Sequence, residues 1–232
     1  MAAARRLTPP RIPAWTLLLC GAAGIVFTVP ELQALLIYSR AAIGDGELWR
    51  LVTGSLVHFS PSHLAYNIAA LFIVGGLIET LRYRHFATLC MVSGALIGLA
   101  IYVGKPEIFA FGGLSGVVTA SVTFLCLHGL HETGAWRRLC QVVLVCVGIK
   151  ITTELVFGPS LLAVLGGEDL GFVPLPLSHF VGAVTAALVF FTGQPRLGTA
   201  APARPTSRSG ATASTALGET SLTGSNHIEV IR

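Results

Sequence analysis

The sequence predicts an all-α polytopic membrane protein: six transmembrane helices in one bundle, followed by a disordered C-terminal tail. Three observations predict it. Of 232 residues, 53% are hydrophobic and only 11% are charged, where a soluble domain carries roughly a quarter charged; mean hydropathy is +0.75. The apolar residues fall into runs long enough to span a bilayer, set off by Pro, Gly and Arg. If six helices alternate, the basic groups Arg5-Arg6, Arg11, Arg82, Arg84, Arg137-Arg138 and those of the tail fall on one side. Arg40, Arg50 and Lys105 fall on the other. The positive-inside rule then puts both termini in the cytoplasm. Topology alone accounts for the net charge of +4, so no nucleic-acid partner is implied.

Residues 1–13 are a short, basic, proline-containing cytoplasmic N-terminus, and residues 14–194 form the membrane domain. Helix one covers about 15–29 and ends at Pro30-Glu31. A cleaved signal peptide is the rival reading of this stretch, but no convincing small-x-small cleavage site follows it. Residues 38–49 read as a loop, with Trp49-Arg50 at the interface. Ser60-Pro61 supplies an N-cap and a first-turn proline for helix two, which runs to about 81 and is closed by Arg82 and Arg84. Helix three (about 86–103) carries Gly94-x-x-x-Gly98, which permits close helix approach and is read as internal packing. Helix four starts near Ser115 and stops near His131-Glu132. Helix five opens at Trp136-Arg137-Arg138 and ends at Phe157-Gly158-Pro159. A Gly-rich acidic loop at 166–169 precedes helix six, about 176–192. From 195 to 232 aromatics vanish and Ala, Thr, Ser, Gly and Pro dominate; that cytoplasmic tail cannot bury enough apolar surface to order itself. Cys20, Cys90, Cys126, Cys140 and Cys146 lie in or beside apolar runs and are expected to be free thiols that pack as small apolar groups.

Ionisable and polar residues inside membrane-length runs are costly, and by default they mark function. Four of them share a depth. At about 1.5 Å per residue, Ser115 lies about 24 Å above His131 and His179 about 21 Å above Gly193. On helix two, Asn67 and His63 lie about 18 and 24 Å above Glu79, and their spacing of four puts them on one face. A serine and a histidine at one level can perform acyl transfer. His63, Asn67 and the Ser115 amide are available as oxyanion donors. Glycines around the serine free the backbone for that role, and the apolar stretch 108–114 reads as a loop dipping into the protein. The implied cavity opens to the exterior, because peptide hydrolysis needs water.

The set Gly113-Leu-Ser115-Gly116, His58-x4-His63-x3-Asn67 and His179-x2-Gly182 resembles the rhomboid intramembrane serine proteases. Trp49-Arg50 and Gly75-Gly76-x-x-Glu79 also resemble that family's pattern, and the match covers about residues 47–191. The resemblance implies a six-helix bundle with Ser115 as nucleophile and His179 as general base. It implies His63 and Asn67 as oxyanion donors, His58 as a supporting residue, and Gly113 and Gly116 as parts of the site. It implies no cofactor, no metal, and transmembrane protein substrates presented in the lipid bilayer, most naturally of a bacterial inner membrane. Short length and Lys150-x3-Glu154 look most like the rhombosortase branch, which trims Gly-Gly-containing C-terminal anchors of exported proteins. Thr119 departs from the pattern, standing where relatives often place an aromatic residue or a histidine beside the base.

Competing readings are milder. A non-catalytic rhomboid-like binder of transmembrane segments would lack the serine or histidine, and this chain has both. A small transporter is supported only by Lys150 and Glu154, without the repeats such proteins show. That pair shares a helix face, with Glu154 near the level of the serine, and is read as an intramembrane ion pair fixing helix register in preference to a proton-handling role. His128, His131 and Glu132 look like a metal cluster but sit at the cytoplasmic end, where interfacial solvation explains them.

Overall fold

The computed structural model describes residues 12–158 and 175–193. The basic residues 1–11, the acidic loop at 166–169 and the tail from 195 lie outside the described residues. The chain enters through α1 (Ala14–Thr28) and turns through 112° into the short α2 (Pro30–Leu36). Pro30 opens α2 after Val29 in extended backbone; its missing N–H is no loss at a helix start.

The predicted loop at 38–49 is more structured than its composition implies. It holds β1 (Tyr38–Ser39) and α3 (Arg40–Gly44), and α4 (Arg50–Thr53) with a 3₁₀ turn (Gly54–Leu56) follows. Arg50 braces this segment: it is buried, pairs with Glu47 at 2.6 Å, and donates to the carbonyls of Ala34 and Ile37. A buried guanidinium satisfied by two carbonyls and a carboxylate fixes the path of residues 37–60, here loop one.

The long helices follow close to where the sequence puts them: α5 (Pro61–Thr80) and α6 (Phe86–Gly104), then, after the two-residue β2 (Ala110–Phe111), α7 (Ser115–Gly129), α8 (Gly134–Phe157) and α9 (Pro176–Gly193). Ser60 caps α5 as expected, its Oγ accepting from the His63 amide at 3.2 Å. The lower end of α5 holds α1: Glu79 accepts from the Trp15 and Thr16 amides and the Thr16 hydroxyl. A carboxylate there satisfies orphan donors and the positive end of the helix dipole. Gly75 is needed because a Cβ would lie 2.5 Å from Thr16 Oγ1.

Among the described residues, α5, α6, α8 and α9 are long and apolar enough to cross a bilayer, and α1 with α2 makes a fifth candidate if taken as one span. The protein is thus mostly helical with four to five candidate spans, where the sequence predicts six. The difference lies in α1 and α7, each 15 residues long. Helix α7 has no need of length, because it is buried on nearly every side from Gly116 to Gly129. Such a helix belongs to the interior of a bundle. The outer helices are inside-out by soluble standards: α5 buries His63, Asn67, Leu71, Gly75 and Ile78 and exposes Tyr66, Phe72 and Ile73. The Gly94 and Gly98 pair admits the Leu51-Val52 backbone of loop one, an internal contact as read from the sequence.

Candidate active site

Two glycines decide how closely the central helices meet. A Cβ on Gly116 would lie 2.8 Å from the Ser178 carbonyl, and a Cβ on Gly182 would strike the Gly116 carbonyl. The start of α7 and the first turns of α9 therefore touch backbone to backbone, one residue after Ser115 and one before His179. Ser115 is the first residue of α7 and half-buried; His179 is 5% exposed. Being at the helix start, the amides of Ser115, Gly116 and Val117 have no intrahelical acceptor. They present the positive end of the helix dipole to whatever sits above the serine.

The segment leading to the serine is positioned from loop one and α5. Gly113 takes φ +136°, and a Cβ there would lie 2.8 Å from His63 Cε1, so glycine is required twice over. The Leu114 amide donates to His58 Nε2 at 3.4 Å, and Asn67 Nδ2 lies 3.3 Å from the same nitrogen. Both are donors, so His58 carries its hydrogen on Nδ1, which faces the Leu56 carbonyl at 3.1 Å. Burial pushes the His58 pKa down, the bond to Leu56 opposing it, and the ring is neutral. The His58 carbonyl accepts from Gln33, so this histidine ties loop one, α5 and the serine segment together.

Of the predicted residues, the structure brings His58, His63, Asn67 and Gly113 into one buried cluster. The His58 and His63 rings meet edge to face at 4.9 Å, and Asn67 Nδ2 also donates to the His63 carbonyl at 3.0 Å. Gly116 joins that cluster's serine to the His179 turn. Thr119 turns its hydroxyl to the Ser115 carbonyl at 2.8 Å.

Sequence reasoning did not assign Glu154 to the site. It reaches across from α8 and sets Oε2 2.6 Å from His179 Nδ1, while Oε1 holds Lys150. The sequence signals are the i, i+4 pair in an apolar helix and the depth of Glu154 near the catalytic level, read as a register device in preference to a proton-handling role. His128 and His131 belong elsewhere, stacking on Tyr83 and Phe190 respectively. Among the described residues no group of three or more His, Cys, Asp or Glu is arranged to hold a metal.

A family model described as the rhomboid domain matches residues 45–195, well over half of the chain and the whole of this site. The chain belongs to the rhomboid family. Among curated relatives, this rhomboid is similar to the rhomboid protease GlpG of Haemophilus influenzae, 35% identical over 100 residues, 42% of this chain and 50% of that protein. It is 36% identical to GlpG of Photorhabdus laumondii subsp. laumondii over 90 residues, 36% of this chain and 29% of that protein. The chain thus spans half or less of the curated relatives it matches. Family membership and the long apolar helices make it a multi-pass integral membrane protein.

Proposed function

We propose that this rhomboid is an intramembrane serine protease that cleaves membrane-anchored proteins near the exterior edge of the bilayer. The observation that carries the reading is the Gly116–Gly182 crossing, which sets the serine-bearing start of α7 against the turn of α9 that holds His179. Ser115 Oγ attacks the scissile carbonyl carbon while its proton passes to His179 Nε2. The oxyanion is held by the Ser115 amide, His63 and Asn67, whose hydrogens turn from His58 and the His63 carbonyl as the substrate arrives. Collapse breaks the C–N bond, and His179 gives its proton to the departing amine. Water then attacks the acyl-enzyme, His179 takes one proton, and the carboxylate product leaves as Ser115 recovers its hydrogen.

In this reading α1 and α7 complete a six-span bundle with both termini in the cytoplasm, most naturally of a bacterial inner membrane. The substrate is the transmembrane segment of another protein, and no cofactor takes part. A buried serine can cut only extended backbone, so the substrate helix must unwind locally. Gly-Gly near a helix end lowers that cost, each glycine being about 1 kcal/mol worse than alanine in a helix. Together with the rhombosortase resemblance, this favours C-terminal anchors carrying Gly-Gly just outside the membrane. A fluorophosphonate probe tests the core of the proposal. Ser115 Oγ bonds to phosphorus, fluoride leaves and His179 takes the proton, so the wild-type protein in detergent is labelled and Ser115→Ala is not. Equal labelling of both would refute the assignment of the nucleophile.

A further inference from the structure

His179 has more than Ser115 for company. Where α8 meets α9, three ionisable groups converge: Glu154 and His179, both under one-tenth exposed, and Lys150, whose side chain is 39% exposed. Glu154 Oε2 stands 2.6 Å from His179 Nδ1, Glu154 Oε1 stands 2.6 Å from Lys150 Nζ, and Nζ is 3.0 Å from the same Nδ1. One ring nitrogen cannot serve both neighbours, since it carries either a hydrogen or a lone pair. If Nδ1 were bare it would accept from Lys150, and a carboxylate oxygen would face its lone pair at the shortest distance in the cluster. If Nδ1 carries the hydrogen, it donates to Glu154 in a charge-assisted bond, and Lys150 serves the other carboxylate oxygen. The second arrangement makes the shortest contact in the cluster attractive, leaves Lys150 bonded to the carboxylate alone, and leaves Nε2 bare.

We propose that Glu154 is a positioning residue for His179. It accepts the Nδ1 hydrogen, holds the imidazole in the tautomer whose Nε2 can receive a proton, and balances the ring's charge once it has done so. The proposal rests on the Ser115–His179 reading. Lys150 aims the carboxylate by holding Oε1 and keeps the pair neutral inside an apolar helix. A pair that only fixed the register of α8 would be complete with Lys150 and Glu154 alone; here the second oxygen is directed to the histidine. Thr119 is engaged with the Ser115 carbonyl, and of the two described polar contacts of the ring Glu154 makes the shorter. Among the described residues of the neighbouring elements, His63 on α5 lies within electrostatic reach of His179, the start of α7 bears Ser115, and Tyr102 on α6 packs under Arg40 instead.

The test is the rate of fluorophosphonate labelling of the full-length protein in detergent, followed against pH, with thermal unfolding in parallel. Glu154→Gln is expected to slow labelling by about 10²–10⁴, the range of a general-base contribution. It should also move the acid limb of the profile to lower pH, because the imidazolium has lost its counter-charge. Lys150→Met leaves that counter-charge uncompensated and should move the limb to higher pH. A residue that only supports the fold would change the amount of active protein and leave the limb in place. If Glu154→Gln does not fold, Lys150→Met decides alone, and an unshifted limb overturns the proposal. Wild-type labelling rate and profile in a folded Glu154→Gln overturn it as well. Should the wild type take no label, or His179→Ala label as fast as the wild type, the dyad itself falls; with those controls intact, only the role of Glu154 is at stake.

Discussion

Helices α7 and α8 lie side by side and are built on opposite terms. Helix α7 is enclosed on nearly every side, and its start is pressed against α9 through bare glycine backbone. Helix α8 is the least buried of the four long spans, with 17% of its apolar window covered against 44% for α6, and only Cys140, Ile151 and Glu154 are buried along it. Ser115 and His179 thus sit on a tightly packed seam, while the carboxylate that meets His179 comes from a helix with most of its surface exposed. Packing fixes the first contact; for the second, two short polar contacts take the place of packing. A seam made of backbone tolerates no added atom, whereas a contact made by long side chains tolerates change around it.

The sharpest break of the contrast is at the seam's own chemistry. Ser115→Ala and His179→Ala should each abolish cleavage of a model transmembrane substrate while the protein stays folded, as gel assay and thermal unfolding would record. Residual cleavage by Ser115→Ala would remove the seam from the reaction. Next in size is the face opposite: Asn67→Ala and His63→Ala should each lower turnover by about 10²–10³, the loss of one oxyanion donor, with substrate binding kept. Turnover at the wild-type rate in both would put the oxyanion site elsewhere. Then comes the packing itself. Gly182→Ala places a methyl on the Gly116 carbonyl, and overpacking of that kind costs about 1–3 kcal/mol; both melting temperature and turnover should fall. The smallest effect has the opposite sign. Gly148 on α8 has nothing within 4 Å of a new Cβ, so Gly148→Ala should stabilise by up to about 1 kcal/mol through helix propensity without altering turnover. If the two alanine substitutions moved stability alike, the distinction between the helices would be wrong.

The sequence was most informative where one residue type has one physical use. Ser60-Pro61 marks the start of α5, and Gly158 the end of α8, because caps and breakers act locally. Ser115, His63, Asn67 and His179 stood out because polar groups at depth need a reason. Residues 31–58 were harder to read. Helix α2, the β1 strand and α4 are short, and Arg50 holds them through carbonyls 13 and 16 residues away, a contact that no local pattern encodes. Glu154 was visible as half of an i, i+4 pair, but a carboxylate has two oxygens and only the fold says where the second one points.

The two-residue ladder between Tyr38-Ser39 and Ala110-Phe111 looks minor beside the helices. It is joined by bonds from the Arg40 amide to the Phe109 carbonyl, from the Gly113 amide to the Gly54 carbonyl, and from the Leu114 amide to His58. Each runs between loop one and the few residues ahead of the serine, and together they act as a tether. The same stretch exposes Leu48, Trp49 and Phe59. Through the tether, the seating of that surface stretch and the backbone on which Ser115 is mounted are one connected piece, so the position of the serine is set as much from the first loop as from its own helix.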